Sequence, residues 1–201
     1  MSEKSPRRQV RFSALSRRSL LRGLFALAGA AGAGLALKGR EPRQEADAPS
    51  PKYLFFTPGE ALLMEKVGEA VLPTQRPFPS MAKAMVVRRA DEELSFLGAS
   101  IQEDLRAALW VTQWAPLAWG HAKRYTKLDL ESRRDVLVRM MNSRSETLQA
   151  VGTNLKVLVQ FFYFGHPSAW SALGYEGPFS RLAPIESEQR VWYALQTGEN
   201  R

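Results

Sequence analysis

The chain of 201 residues has no cysteine and only two histidines, His121 and His166. Without thiols there is no disulfide, no thiolate zinc site, no iron–sulfur cluster, no c-type haem attachment and no cysteine nucleophile. The histidines are equally restrictive. Ala118 and Tyr163 stand three residues before them, so the Glu-x-x-His signature of carboxylate-bridged di-iron bundles is missing. There is no H-E-x-x-H, no G-x-S-x-G and no phosphate-cradling glycine loop. No segment alternates well enough to read as a strand, and no repeat is visible.

Basic charge is abundant but unevenly placed. The net charge is +8. Residues 1–48 carry ten Lys/Arg against four Asp/Glu, and residues 49–201 carry eighteen against sixteen. The body therefore lacks the broad basic field that phosphate binding requires, and nucleic acid is not an expected partner.

The excess sits in what reads as an export leader. Lys4, Arg7, Arg8 and Arg11 form a positive start, followed by Ser16-Arg17-Arg18-Ser19-Leu20-Leu21-Arg22. This is close to the twin-arginine pattern, with Arg17 and Arg18 as the export signal. The apolar run Gly23–Leu37 is short for a membrane span and rich in Gly and Ala. The alternative is a chance arginine pair ahead of a transmembrane helix; pair, flanks, length and position together favour the leader. Ala46-Asp47-Ala48 and Ala31-Gly32-Ala33 are both cleavage candidates, and an uncleaved anchor is the other possibility. Residues 1–48 are thus expected to be leader and linker, removed or anchoring. Residues 49–201 are expected to form one domain at the periplasm or the periplasmic face of the inner membrane, delivered by the twin-arginine translocase.

The body reads as all-α, a small bundle of about five to six helices. Thr57-Pro58-Gly59-Glu60 is a capping box with proline at the first helical position, and Leu63, Val67, Ala70 and Val71 follow on one face until Pro73. Ser80 is a candidate cap for a second helix through Val86, Val87, Ala90 and Leu94. A third spans about Ile101–Trp119, with Ile101, Leu105, Ala108, Leu109 and Thr112 at helical spacing and Pro116 as a kink or early stop. Asp129 caps a fourth, with Val136, Leu137, Met140 and Met141 inward. Ser143–Glu146 reads as a second capping box, opening a helix with two apolar stripes: Leu148, Val151, Leu155, Leu158 and Phe162, and Ala150, Val157, Phe161 and Phe164. Apolar on two faces, it belongs inside the bundle. A last short helix is expected over Glu186–Leu195.

Side chains that could carry chemistry have plainer readings. Asp91-Glu92-Glu93 is read as a solvated helix face, His121 as a surface or helix-capping histidine, and Trp110 with Trp114 as core. The segment Phe161–Phe179, "FFYFGHPSAWSALGYEGPF", is different. An apolar helix runs into Gly165 and Pro167, and Trp170, Tyr175 and Phe179 then punctuate an irregular glycine- and proline-rich stretch. Such aromatics fit an interface; equally, they fit the closing of a bundle end.

Three passages carry a resemblance: "AVLP" at Ala70–Pro73, "YTKLDLESRRDVL" at Tyr125–Leu137, and "YFGHPSAWSALGYEGP" from Tyr163, the most specific. On these the chain resembles the gluconate 2-dehydrogenase subunit 3 family over roughly Phe55–Phe179. It departs at Pro77-Phe78-Pro79-Ser80, where a turn of Pro-Gly-Ala character is expected. The resemblance implies a small non-catalytic subunit of an exported sugar or alcohol dehydrogenase complex, assisting folding, export and assembly of a large FAD-dependent subunit of the glucose–methanol–choline type. A cytochrome c subunit often completes such complexes. It implies FAD, and haem c where that subunit is present, in the partners, and no catalytic, cofactor-binding or metal-binding residue in this chain. Phe164, Trp170, Tyr175 and Phe179 are the candidate partner-binding residues. A stand-alone periplasmic helical protein that binds a small ligand is the alternative function. An enzyme with ungrouped Asp/Glu chemistry is the third.

Overall fold

The computed structural model describes residues 52–177 and 187–198. Within them the regular structure is entirely helical: α1 (Pro58–Val71), α2 (Val86–Ser95), α3 (Ala99–Ala118), α4 (Leu130–Met141), α5 (Glu146–Phe164), α6 (Pro167–Trp170) and α7 (Glu188–Thr197). Short 3₁₀ turns lie at Tyr125–Lys127 and Ser171–Leu173. The all-α expectation holds; the one-turn helix α6 is additional to it. The expected leader with Arg17 and Arg18, both cleavage candidates and Phe179 lie outside the described residues.

Local chemistry sets several boundaries as expected. Thr57 Oγ1 accepts from the Glu60 amide at 3.3 Å while the Glu60 carboxylate accepts from the Thr57 amide at 2.8 Å, so the capping box is complete. Asp129 accepts from the Ser132 amide at 2.9 Å and starts α4. Pro116 falls in the last turn of α3, which ends two residues later at Ala118, consistent with a residue that cannot donate to the helical ladder.

Other boundaries differ. Ser80 does not start α2. Its hydroxyl accepts from the Lys83 amide at 3.1 Å, closing a single turn. Met85 then adopts a left-handed backbone at φ 50°, and α2 begins only at Val86. The left-handed residue breaks the helical screw, so two turns cannot merge into one helix. The cap of α5 is Ser145, which accepts from the Leu148 amide at 3.4 Å, rather than Ser143. Ser143 instead accepts from the Ser145 amide at 3.1 Å and fixes the approach to the cap. The last helix is Glu188–Thr197, capped by Ser187, two residues later than expected at each end.

Helix α5 is the centre of the bundle and packs against α1, α2, α3, α4 and α6. Val151, Leu155, Val159, Phe162 and Tyr163 are buried there with Met64, Val67, Val136 and Met140. A Cβ on Gly152 would lie 2.9 Å from the Met140 Cβ. That contact is with an atom fixed to backbone, and it explains a glycine in mid-helix at the α4–α5 crossing. The second apolar stripe of α5 is only partly interior: Phe164 packs against the core, while Val157 and Phe161 do not. Val157 is exposed and Phe161 is 68% exposed, with no element among the described residues covering them. Ile101 and Trp110 on α3 are exposed as well, so Trp110 is not core; Trp114 is half-buried, its ring 6.4 Å from that of Trp110.

Candidate functional site

Two neighbourhoods stand out. The first is the aromatic step after α5. Gly165 ends that helix, its amide donating to the Phe161 carbonyl at 3.0 Å. His166 then caps α6: its Nδ1 accepts from the Ser168 amide at 3.2 Å and lies 2.8 Å from the Ser168 hydroxyl. Pro167 occupies the first helical position, as its fixed φ favours. Burial and the nearby Arg89 guanidinium hold the His166 imidazole below its ordinary pKa.

Trp170 closes the step from inside. It is half-buried, and its indole N–H donates to the Phe164 carbonyl at 3.1 Å, satisfying a free acceptor at the end of α5. The Trp170 carbonyl accepts from the Tyr175 amide at 3.0 Å. The two rings meet edge to face, 5.2 Å apart, a preferred aromatic geometry. Gly177, at φ 111°, lies against the indole, where a Cβ would come within 3.3 Å of the ring. Leu173 and Tyr175 are turned outward, Tyr175 at 43% exposure. Phe164 is half-buried against the core, its ring 5.0 Å from that of Tyr163. Of the candidate partner-binding residues, then, Trp170 and Tyr175 are brought together. Phe164 supports them from beneath through its carbonyl.

The second neighbourhood centres on Asp91, and it corrects the reading of Asp91-Glu92-Glu93 as a solvated face. Asp91 is fully buried, at 0% exposure. Its carboxylate accepts from three consecutive amides, Leu54 at 2.8 Å, Phe55 at 2.9 Å and Phe56 at 2.7 Å, and from the Tyr193 hydroxyl at 2.6 Å. A buried carboxylate needs such a complete set of donors. Glu92 contacts Arg190 at 3.0 Å. The same face of α2 presents Arg88, which donates to the Lys52 carbonyl at 2.9 Å and to the Thr197 hydroxyl at 2.6 Å, and lies over the Tyr193 ring. Asp91 falls within the stripe Val87, Ala90, Leu94, and that was the available signal: a carboxylate at an apolar position demands buried donors. Arg133, also buried, was missed too. It pairs with Glu69 at 2.7 Å. Burial pushes the Glu69 carboxyl up, but hydrogen bonds from Lys66 and Arg133 outweigh this and hold it below its ordinary pKa.

Among the described residues no three His, Asp or Glu side chains gather as a metal site, and no helix is long and apolar enough to cross a membrane. The fold and sites define a small all-α domain in which residues 54–56 are clamped to Asp91 and an aromatic step closes the end of α5. Comparison of the chain with protein-family models, curated proteins and solved structures finds no match.

Proposed function

We propose that this chain is the non-catalytic small subunit of an exported flavin-dependent dehydrogenase complex acting on sugars or alcohols. Its role is to help a large FAD subunit of the glucose–methanol–choline type fold, leave the cytoplasm and assemble, in some complexes with a cytochrome c subunit. The reading follows the resemblance to the gluconate 2-dehydrogenase subunit 3 family. It also answers why a chain would carry a twin-arginine leader: a flavoprotein loaded with FAD in the cytoplasm must cross the membrane folded, and a bound small subunit can supply the address.

The supporting observation is the step built from the most specific part of that resemblance. Trp170 is locked beneath by the Phe164 carbonyl and Gly177, and it braces a Tyr175 ring that faces outward. A pre-positioned aromatic loses little freedom when it enters a partner's pocket. Tyr175 is therefore the cleaner probe, since truncating Trp170 also removes a hydrogen bond at the end of α5. Affinity purification from cells co-expressing the large subunit should retain that subunit with the native chain. Tyr175→Ala removes one ring contact and should lower the melting temperature by only a few degrees, while weakening co-purification by about 2 kcal/mol if the residue is an interface hot spot. Unchanged affinity in Tyr175→Ala would remove the step from the interface. Flavin or dehydrogenase turnover in the isolated chain would overturn the assignment.

A further inference from the structure

The Asp91 carboxylate joins parts of the chain that are remote in sequence. Leu54 is 37 residues away and Tyr193 is 102. The two oxygens divide the work. Oδ1 takes the Phe55 and Phe56 amides, while Oδ2 is shared between the Leu54 amide and the Tyr193 hydroxyl. Every backbone donor of residues 54–56 is thus committed to one side chain that also holds α7. Around it, Arg88 bridges the Lys52 carbonyl to Thr197, and Lys52 Nζ reaches the Gln196 carbonyl at 2.6 Å.

We propose that Asp91 is a latch coupling the docking of α7 to the anchoring of residues 52–56, the segment through which residues 1–51 join the helical body. Physically the coupling is reciprocal. With α7 undocked, Asp91 loses the tyrosine donor and the apolar cover of that ring, so water reaches the carboxylate and competes with the amides it holds. With residues 54–56 released, the same carboxylate loses three of its four donors, so keeping it buried beneath the Tyr193 ring costs more and α7 is held less firmly. Arg106 donates to the Phe55 carbonyl at 2.6 Å and pairs with Glu60, but it engages no amide of this segment, so it cannot replace the latch. The Phe55 and Phe56 side chains are buried in the core, and docking of the last described helix completes the anchoring of the segment that follows the leader. On the export reading, and resting on it, this ties presentation of the leader to completion of the fold.

Amide hydrogen exchange on the purified full-length chain tests the coupling without reference to export. Tyr193→Phe removes one hydroxyl and keeps the ring. It should accelerate exchange at Leu54, Phe55 and Phe56 about ten-fold, while Leu155 and Val159 in α5 keep their protection. Asp91→Asn should accelerate both residues 54–56 and the amides of α7. Unchanged protection of residues 54–56 in Tyr193→Phe would overturn the latch. So would acceleration equal to that of Leu155 and Val159, which would mean a single cooperative unit. Either result leaves the export reading standing, because that reading is decided by where the chain accumulates in the cell.

Discussion

Three tyrosines, Tyr125, Tyr163 and Tyr193, are fully buried, and the fate of each hydroxyl separates packing from polar chemistry. Tyr193 serves Asp91. Tyr163 donates to the Pro79 carbonyl at 2.7 Å and ties α5 to the proline-rich loop. The Tyr125 hydroxyl is buried with no hydrogen-bond partner among the described residues, and burial pushes its pKa well above the ordinary tyrosine value. An unpartnered buried hydroxyl costs about 1–3 kcal/mol in lost hydration, whereas a made bond contributes about 1 kcal/mol net. Tyr163→Phe should therefore lower stability by about 1 kcal/mol, and Tyr125→Phe should leave it unchanged or raise it. Chemical denaturation of the two variants beside the native chain decides this. A loss in Tyr125→Phe as large as in Tyr163→Phe would show that the hydroxyl has a partner after all. The sequence passage "YTKLDLESRRDVL" marks Tyr125 without revealing whether its ring or its hydroxyl matters. Asp91 was misread for a related reason: its donors lie far along the chain, and an acidic run looks the same whether one member points in or all point out.

Helix ends in this protein are set mostly by side chains within three residues, which is why Thr57 and Asp129 were legible from sequence alone. The α2 start was not, because Met85 takes a left-handed backbone that nothing in its immediate neighbours demands. Nor could periodicity tell which apolar face of α5 would be covered; Val157 and Phe161 have helical spacing but are exposed among the described residues. The cap of α6 is a case where local chemistry adds a pH response. His166 accepts through Nδ1, so only the neutral ring caps. Its folded pKa lies below the free value of 6.5, through burial and then the charge of Arg89. The unfolded chain thus binds this proton more readily. The contribution is fully present above pH 6.5 and is lost as pH falls through the folded value. Melting temperature should decline over that acidic window, and His166→Asn, which caps without titrating there, should flatten this part of the profile. An NMR titration placing His166 above 6.5 would contradict the assignment.

For the whole molecule, the arrangement of charge and anchoring separates a basic amino-terminal stretch from a nearly balanced helical body. The basic excess lies in residues 1–48, the helical body is nearly balanced, and the two meet at Lys52, beside α7. All-α architecture was legible because it rests on capping and periodicity. The closeness of the two ends of the described chain was not, since it depends on the Asp91 and Arg88 contacts. If the leader is read by the folded-protein route, the critical groups are Arg17 and Arg18, and their charge alone should not suffice. Lysine keeps the charge but is a point cation, without the planar array of donors that arginine presents. Replacing both with lysine should keep this chain in the cytoplasm, and should keep the large flavoprotein there too if that subunit has no leader of its own. Fractionation of cells expressing both proteins, with FAD fluorescence following the large subunit, distinguishes the outcomes. Normal periplasmic accumulation of the doubly substituted chain would sink the twin-arginine reading. If only the small chain is held back while the flavoprotein reaches the periplasm, the two do not travel together, and the carrier role fails even though the leader is real. Retention of both in the cytoplasm as a complex is the expected result, because recognition of the leader is lost while the Trp170–Tyr175 step remains intact.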